Sequence, residues 1–94
     1  MELLRFENLR FIDRNKIGGD AIFNCDGEEK MADFHFYVQG DQCLSIRLGR
    51  HDADLETEQL QNFIRQRHAA LKKQVNPEVK RLRAERRRAL YGED

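Results

Sequence analysis

The chain has 94 residues, enough for one domain and too few for two. Charged residues make up 36% and hydrophobic residues 39%, with six Phe and no Trp, so the core is thin and a wholly disordered chain is excluded. Seventeen basic and 17 acidic side chains cancel overall but are segregated: residues 1–50 hold seven and nine, residues 51–71 two and four, residues 72–94 eight and four.

In residues 3–13, Leu4 and Phe6 alternate with period two, as do Leu9 and Phe11, but the parity changes at Glu7-Asn8. A bulge there would keep both pairs on one face of a strand. Lys16 to Asp20 (KIGGD) reads as a turn, with Gly18-Gly19 supplying positive φ. Residues 21–25 form a short strand, and Asp26-Gly27 is a two-residue hairpin signal. That turn pairs Cys25 with Glu28, Phe23 with Lys30 and Ala21 with Ala32, which puts Ala32, Phe34, Phe36 and Val38 on the same apolar face.

Gly40-Asp41 marks the next turn. A three-residue loop, Gly40-Asp41-Gln42, pairs Val38 with Leu44, Phe36 with Ile46 and Phe34 with Leu48, all on one face. Cys43 then falls on the opposite face from Cys25, which argues against a disulfide. Asp33, His35, Tyr37, Ser45 and Arg47 form the solvated face.

Asp52 or Asp54 is placed to cap a following helix, with Glu56 and Glu58 in its first turn. Leu60, Phe63, Ile64, Leu71 and Val75 make its apolar stripe, which should cover the sheet. Asn76-Pro77 reads as an N-cap and N1 pair, ending that helix and starting another over about Pro77 to Leu90, closed by Tyr91-Gly92. Its stripe, Val79, Leu82 and Ala89, is thin, so it is expected as an exposed element. The fold is thus α+β, a four-stranded antiparallel β-meander covered on one face by an amphipathic helix. The expected division is a sheet-plus-helix domain at 1–75 and a basic helical arm at 76–94.

The arm carries the most distinctive chemistry. Lys80, Arg81, Arg83, Arg86, Arg87 and Arg88 place six cations in nine positions. Arginine binds carboxylate and phosphate bidentately, so both an acidic protein surface and a phosphate backbone are candidate partners. Glu78 and Glu85 are local counter-ions for a purely solvated helix. On the sheet, His35, Tyr37 and Arg47 are secondary candidates for contact, including stacking of single-stranded RNA. His51 with Asp52 and Asp54 is a loose cation pattern that helix capping explains more simply.

No metal-ligand His or Cys spacing, phosphate-cradling glycine motif or outstanding carboxylate pair is present, so no cofactor, metal or catalytic residue is assigned. The N-terminal stretch, MELLRFENLRF, lacks the apolar run of a signal peptide, and two isolated cysteines suit a reducing, cytoplasmic setting. The sequence therefore points to a small non-catalytic binding or regulatory protein. It would work through protein–protein contacts of its basic helix and sheet surface, with a homodimer among the partners. Nucleic-acid binding through the arginine helix is the alternative.

Overall fold

A computed structural model describes residues 1–91. Four strands, β1 (Glu2–Asp13), β2 (Lys16–Cys25), β3 (Glu28–Gln39) and β4 (Gln42–His51), precede two helices, α1 (Thr57–Gln66) and α2 (His68–Tyr91). The strands pair antiparallel in the order β1-β2-β3-β4, the expected meander. Both helices lie on one face of it, and the molecule measures 45 × 22 × 18 Å.

The expected bulge in β1 is present. Pairing with β2 shifts between Glu7 and Arg10, and Asn8 adopts a left-handed φ of 54°. A second shift, between Leu3 and Arg5, turns Leu3 rather than Leu4 toward the core and leaves Leu4 41% exposed. With Leu3, Phe6, Leu9 and Phe11 inward, the strand keeps its core face through two shifts instead of one, and a third falls between Phe11 and Asp13, beside the turn.

The KIGGD turn is corrected. The chain reverses at Arg14-Asn15, and Gly18 and Gly19 are buried inside β2. The reason is space rather than positive φ: a Cβ on Gly19 would come within 2.6 Å of Leu9 Cδ2. The carbonyl of Asn15 accepts the Val38 N–H at 2.9 Å, tying this turn to β3.

The β2–β3 hairpin has the expected register. Cys25 faces Glu28, Phe23 faces Lys30 and Ala21 faces Ala32, around Asp26 and Gly27 with φ of 52° and 87°. In the β3–β4 hairpin, Phe36 meets Ile46 and Phe34 meets Leu48 as expected. Val38, however, pairs with Cys43 and not with Leu44, because a two-residue turn is followed by a bulge. Cys43 is therefore in the core at 2% exposure and Leu44 points out at 51%. Both cysteines are free, and burial pushes the Cys43 thiol above its ordinary value.

Neither Asp52 nor Asp54 caps α1. The Asp52 carboxylate accepts the Met31 N–H at 2.8 Å, and Asp54 pairs with Lys30 at 2.6 Å. Glu56 is the N-cap, with no side-chain bond, and Glu58 lies in the first turn. His51 spans the connection instead, with Nδ1 2.8 Å from the Asp52 carbonyl and Nε2 2.8 Å from Thr57 Oγ1.

The helix boundary is also corrected. The break falls at Arg67, and α2 runs on through Asn76-Pro77. Proline costs that helix one backbone bond and a steric conflict with the preceding turn. Burial of Val75 and Val79 on either side offsets this, since both contact the core cluster and are at most 1% exposed. Leu82 joins them, so the stripe that looked too thin packs as part of the core, whereas Ala89 is exposed. The helix end expected at Gly92 lies outside the described residues.

The centre of the core is aromatic. Phe6, Phe23, Phe34, Phe36 and Phe63 contact one another with ring centroids 5.1 to 6.4 Å apart in tilted or edge-on pairs. Leu60, Phe63 and Ile64 of α1 and Leu71, Val75, Val79 and Leu82 of α2 close it.

Candidate interaction surface

The buried seam of α2 runs Leu71, Val75, Val79, Leu82 in steps of four, four and three. Continuing that helical spacing brings Arg86 and then Leu90 to the same side. The apolar seam thus turns basic where α2 passes Phe11 of β1. The guanidinium carbons of Arg83 and Arg86 lie 5.2 and 5.1 Å from the centre of the Phe11 ring. Arg83 Nε also donates to the Gly40 carbonyl in the β3–β4 turn. Two arginines are thereby held against the body of the protein by packing and a hydrogen bond, not by a carboxylate.

The six cations of the arm separate into distinct environments. Arg81 is neutralised within the helix by Glu78 at 2.7 Å and Glu85 at 2.8 Å, and these hydrogen bonds raise its pKa further. Its charge is therefore little available to a partner. Lys80, Arg87 and Arg88 are exposed. Arg83, Arg86 and Arg87 gather with Arg14, from the β1–β2 turn, around one open recess of about 330 Å³ that Leu90 also lines. Among the described residues, none of these four arginines is paired with a carboxylate.

Beside it lies a wider groove of about 770 Å³ between β1 and α2. Its floor and rim include Leu9, Phe11, Ile12 and Leu82, with Arg10, Arg14 and Arg86 at the edge. Arg14 was not singled out in the sequence, and Phe11 was read only as an apolar position of the first strand. They lie some seventy positions from the arginine helix, and only the meander brings them to it. The one available signal was the seam spacing, which put Arg86 on the packed side.

The sheet-face residues are brought together less completely. His35 Nε2 is 2.9 Å from Asp33 Oδ2, and the pair lies over Gly49, where a Cβ would come within 3.0 Å of both. Tyr37 has Lys16 Nζ 5.5 Å and Arg47 Cζ 5.9 Å from its ring centre. Lys16 comes from β2 and Arg47 from β4, on opposite sides of β3. The ring is thus flanked by a cation from each neighbouring strand, which a stacking base would have to displace. Arg47 also borders a recess with Gln61, Arg65 and His68 beside the helices.

The loose His51 pattern does not converge, since Asp52 and Asp54 bond to β3. Among the described residues, no group of three or more His, Cys, Asp or Glu side chains is placed to hold a metal ion. No helix there is long and apolar enough to cross a membrane.

Comparison with protein-family models, curated proteins and solved structures yields no match.

Proposed function

We propose that the chain is a non-catalytic binding module that holds an acidic segment of a protein partner at the basic end of α2. One observation carries this reading: Arg14, Arg83, Arg86 and Arg87 converge from two distant elements on one concave surface with an exposed Leu90. Arginines next to an apolar side chain suit the mixed carboxylate and hydrophobic contacts of a protein interface. The two free thiols support a reducing, cytoplasmic setting.

A phosphate backbone is the second reading, favoured by the same guanidinium cluster. Two features weigh against it. Tyr37 has a cation from each neighbouring strand beside its ring, and a balanced net charge gives no general attraction for a long polyanion.

Fluorescence anisotropy with two labelled ligands of equal charge separates the readings. One is a Glu-rich peptide containing Leu, the other a single-stranded oligonucleotide. At 50 mM salt the peptide should bind, and Arg86→Glu with Arg87→Glu should weaken it at least tenfold. Binding of the oligonucleotide alone would transfer the site to nucleic acid, and binding of neither would overturn both readings.

A further inference from the structure

The strand ends gather at two ends of the 45 Å molecule, and the charge divides between them. Glu2 faces Asn24 and Ala32 faces His51, so the start of β1, the β2–β3 turn and the β4–α1 connection share one end. Lys30 ties this end together, pairing with Glu28 at 3.0 Å and Asp54 at 2.6 Å. Asp26, Asp52, Glu56 and Glu58 are exposed there, with no ion pair among the described residues. The β1–β2 turn, the β3–β4 turn and the C-terminal part of α2 share the other end, joined by the Arg83–Gly40 bond and the recess of Arg14, Arg86 and Arg87. Asp13 and Asp41 are the acids of those turns. Twelve residues of β3 separate the two ends by roughly 35–40 Å.

The exposed large apolar side chains divide in the same way. Met1, Leu4 and Met31 belong to the acidic end; Ile12, Leu44 and Leu90 belong to the basic end. Each end therefore carries an excess of one sign of charge, since Arg5 and Lys30 are ion-paired at the acidic end with Arg50 and Arg67 as its other cations, and Asp13, Asp41 and Glu85 are outnumbered by arginines at the basic end; exposed apolar surface lies beside both, and the opposite end of the same chain offers the complement.

We infer that the acidic partner is a second copy of this chain. Two copies lie antiparallel, the acidic end of each against the basic end of the other. The inference rests on the basic end being a protein-binding surface, as proposed above, and names what binds. Antiparallel docking closes after two equivalent contacts, as two-fold dimers do. Zero net charge removes the overall repulsion between like molecules, so the opposed ends dominate the interaction at low salt. Added salt screens them, since the Debye length falls from about 10 Å at 0.1 M to about 3 Å at 1 M.

Sedimentation velocity on the full chain tests this across protein and salt concentration. At 50 mM salt the mass should reach twice 11.2 kDa, and at 1 M salt it should fall toward 11.2 kDa. Arg86→Glu with Arg87→Glu should be monomeric, and so should Glu56→Lys with Glu58→Lys. An equimolar mixture of the two variants should regain the dimer mass, because each then meets its complement. Circular dichroism checks that both are folded. Glu56→Gln with Glu58→Gln, a milder change at the start of α1, should weaken dimerisation if the reversal disturbs that helix. A monomer at every concentration at 50 mM salt would overturn the inference, as would a dimer in either charge-reversed variant alone. Masses that climb past the dimer would replace the closed pair by head-to-tail chains. If the Glu-rich peptide binds while the chain stays monomeric, only the self-partner is lost; if the peptide also fails, the protein-binding reading falls with it.

Discussion

The side-chain oxygen of Asn76 accepts the backbone N–H of Cys43 at 2.8 Å, fastening the middle of α2 to the bulged start of β4. A residue whose type suits a helix N-cap thus satisfies a strand donor thirty-three positions earlier, at a place where the ladder is interrupted. Replacing Asn76 by Ala leaves the N–H of a buried residue without its partner. The expected loss is about 1–3 kcal/mol in urea unfolding. A midpoint within error of the parent would mean that water replaces the bond at no cost.

Pro77 gives the complementary test. Inside a continuous helix, Pro77→Ala restores a backbone donor and a better helix former, so stability should rise, by about 1 kcal/mol or more. If a second helix began at Asn76, the same change would remove a favourable N1 residue and lower the melting temperature.

Val79 is fully buried with Val75 and Leu82 against the sheet. Val79→Ala should therefore cost about 2 kcal/mol. Truncation after Asn76 should lower the melting temperature sharply rather than release a free-standing body. An arm merely projecting into solvent would tolerate both changes within about 0.5 kcal/mol.

Gly19 lies under Leu9, so Gly19→Ala forces the Leu9 methyl aside and should cost about 1–3 kcal/mol. In a double-mutant cycle, Leu9→Ala should be less damaging in the Gly19→Ala background than in the parent. Additive losses would show that the penalty lies in the backbone and not in this contact.

Two carboxylates are held below their ordinary pKa, Glu29 by hydrogen bonds from Arg5 and Asp54 by the hydrogen bond from Lys30. A group with a depressed folded pKa contributes stability above its unfolded value, lost as pH falls through the folded value. The urea midpoint should thus decline as pH falls below about 4. Glu29→Gln with Asp54→Asn should make that decline shallower. Both groups are solvent-exposed, so the change should be small and should shrink further in high salt.

Local chemistry made some of this molecule readable. The Asp26-Gly27 turn and the parity change at Glu7-Asn8 each imply their geometry within a few residues, so the central hairpin register and the β1 bulge followed from the sequence. At Gly40-Asp41 the local pattern pointed the wrong way. A strict two-residue loop sets Phe36 against Ser45 and so misaligns the apolar faces, which favours a three-residue loop; the bulge after the two-residue turn restores the alignment and brings Cys43 inward instead of Leu44. The bond from Asn76 and the seam of α2 select Cys43. Gly18-Gly19 and Asn76-Pro77 carry real turn and capping signals, but Leu9 above one and the buried valines beside the other outweigh them.

The arginine helix shows the same division. Its six cations, and their separation from an acidic chain body, were evident from the order of residues alone. Which of them are spent was not: Arg81 is closed off by Glu78 and Glu85, while Arg83 and Arg86 rest on Phe11. Sequence by itself determined the meander, the amphipathic cover and the excess of charge at each part of the chain, because periodicity and turn propensity act over a few residues. Only the tertiary structure decided that Arg14 meets the helix, that acidic and basic ends face opposite ways, and that α2 is unbroken. Those outcomes depend on contacts across the sheet, where burial of large side chains outweighs the local preference of any single turn.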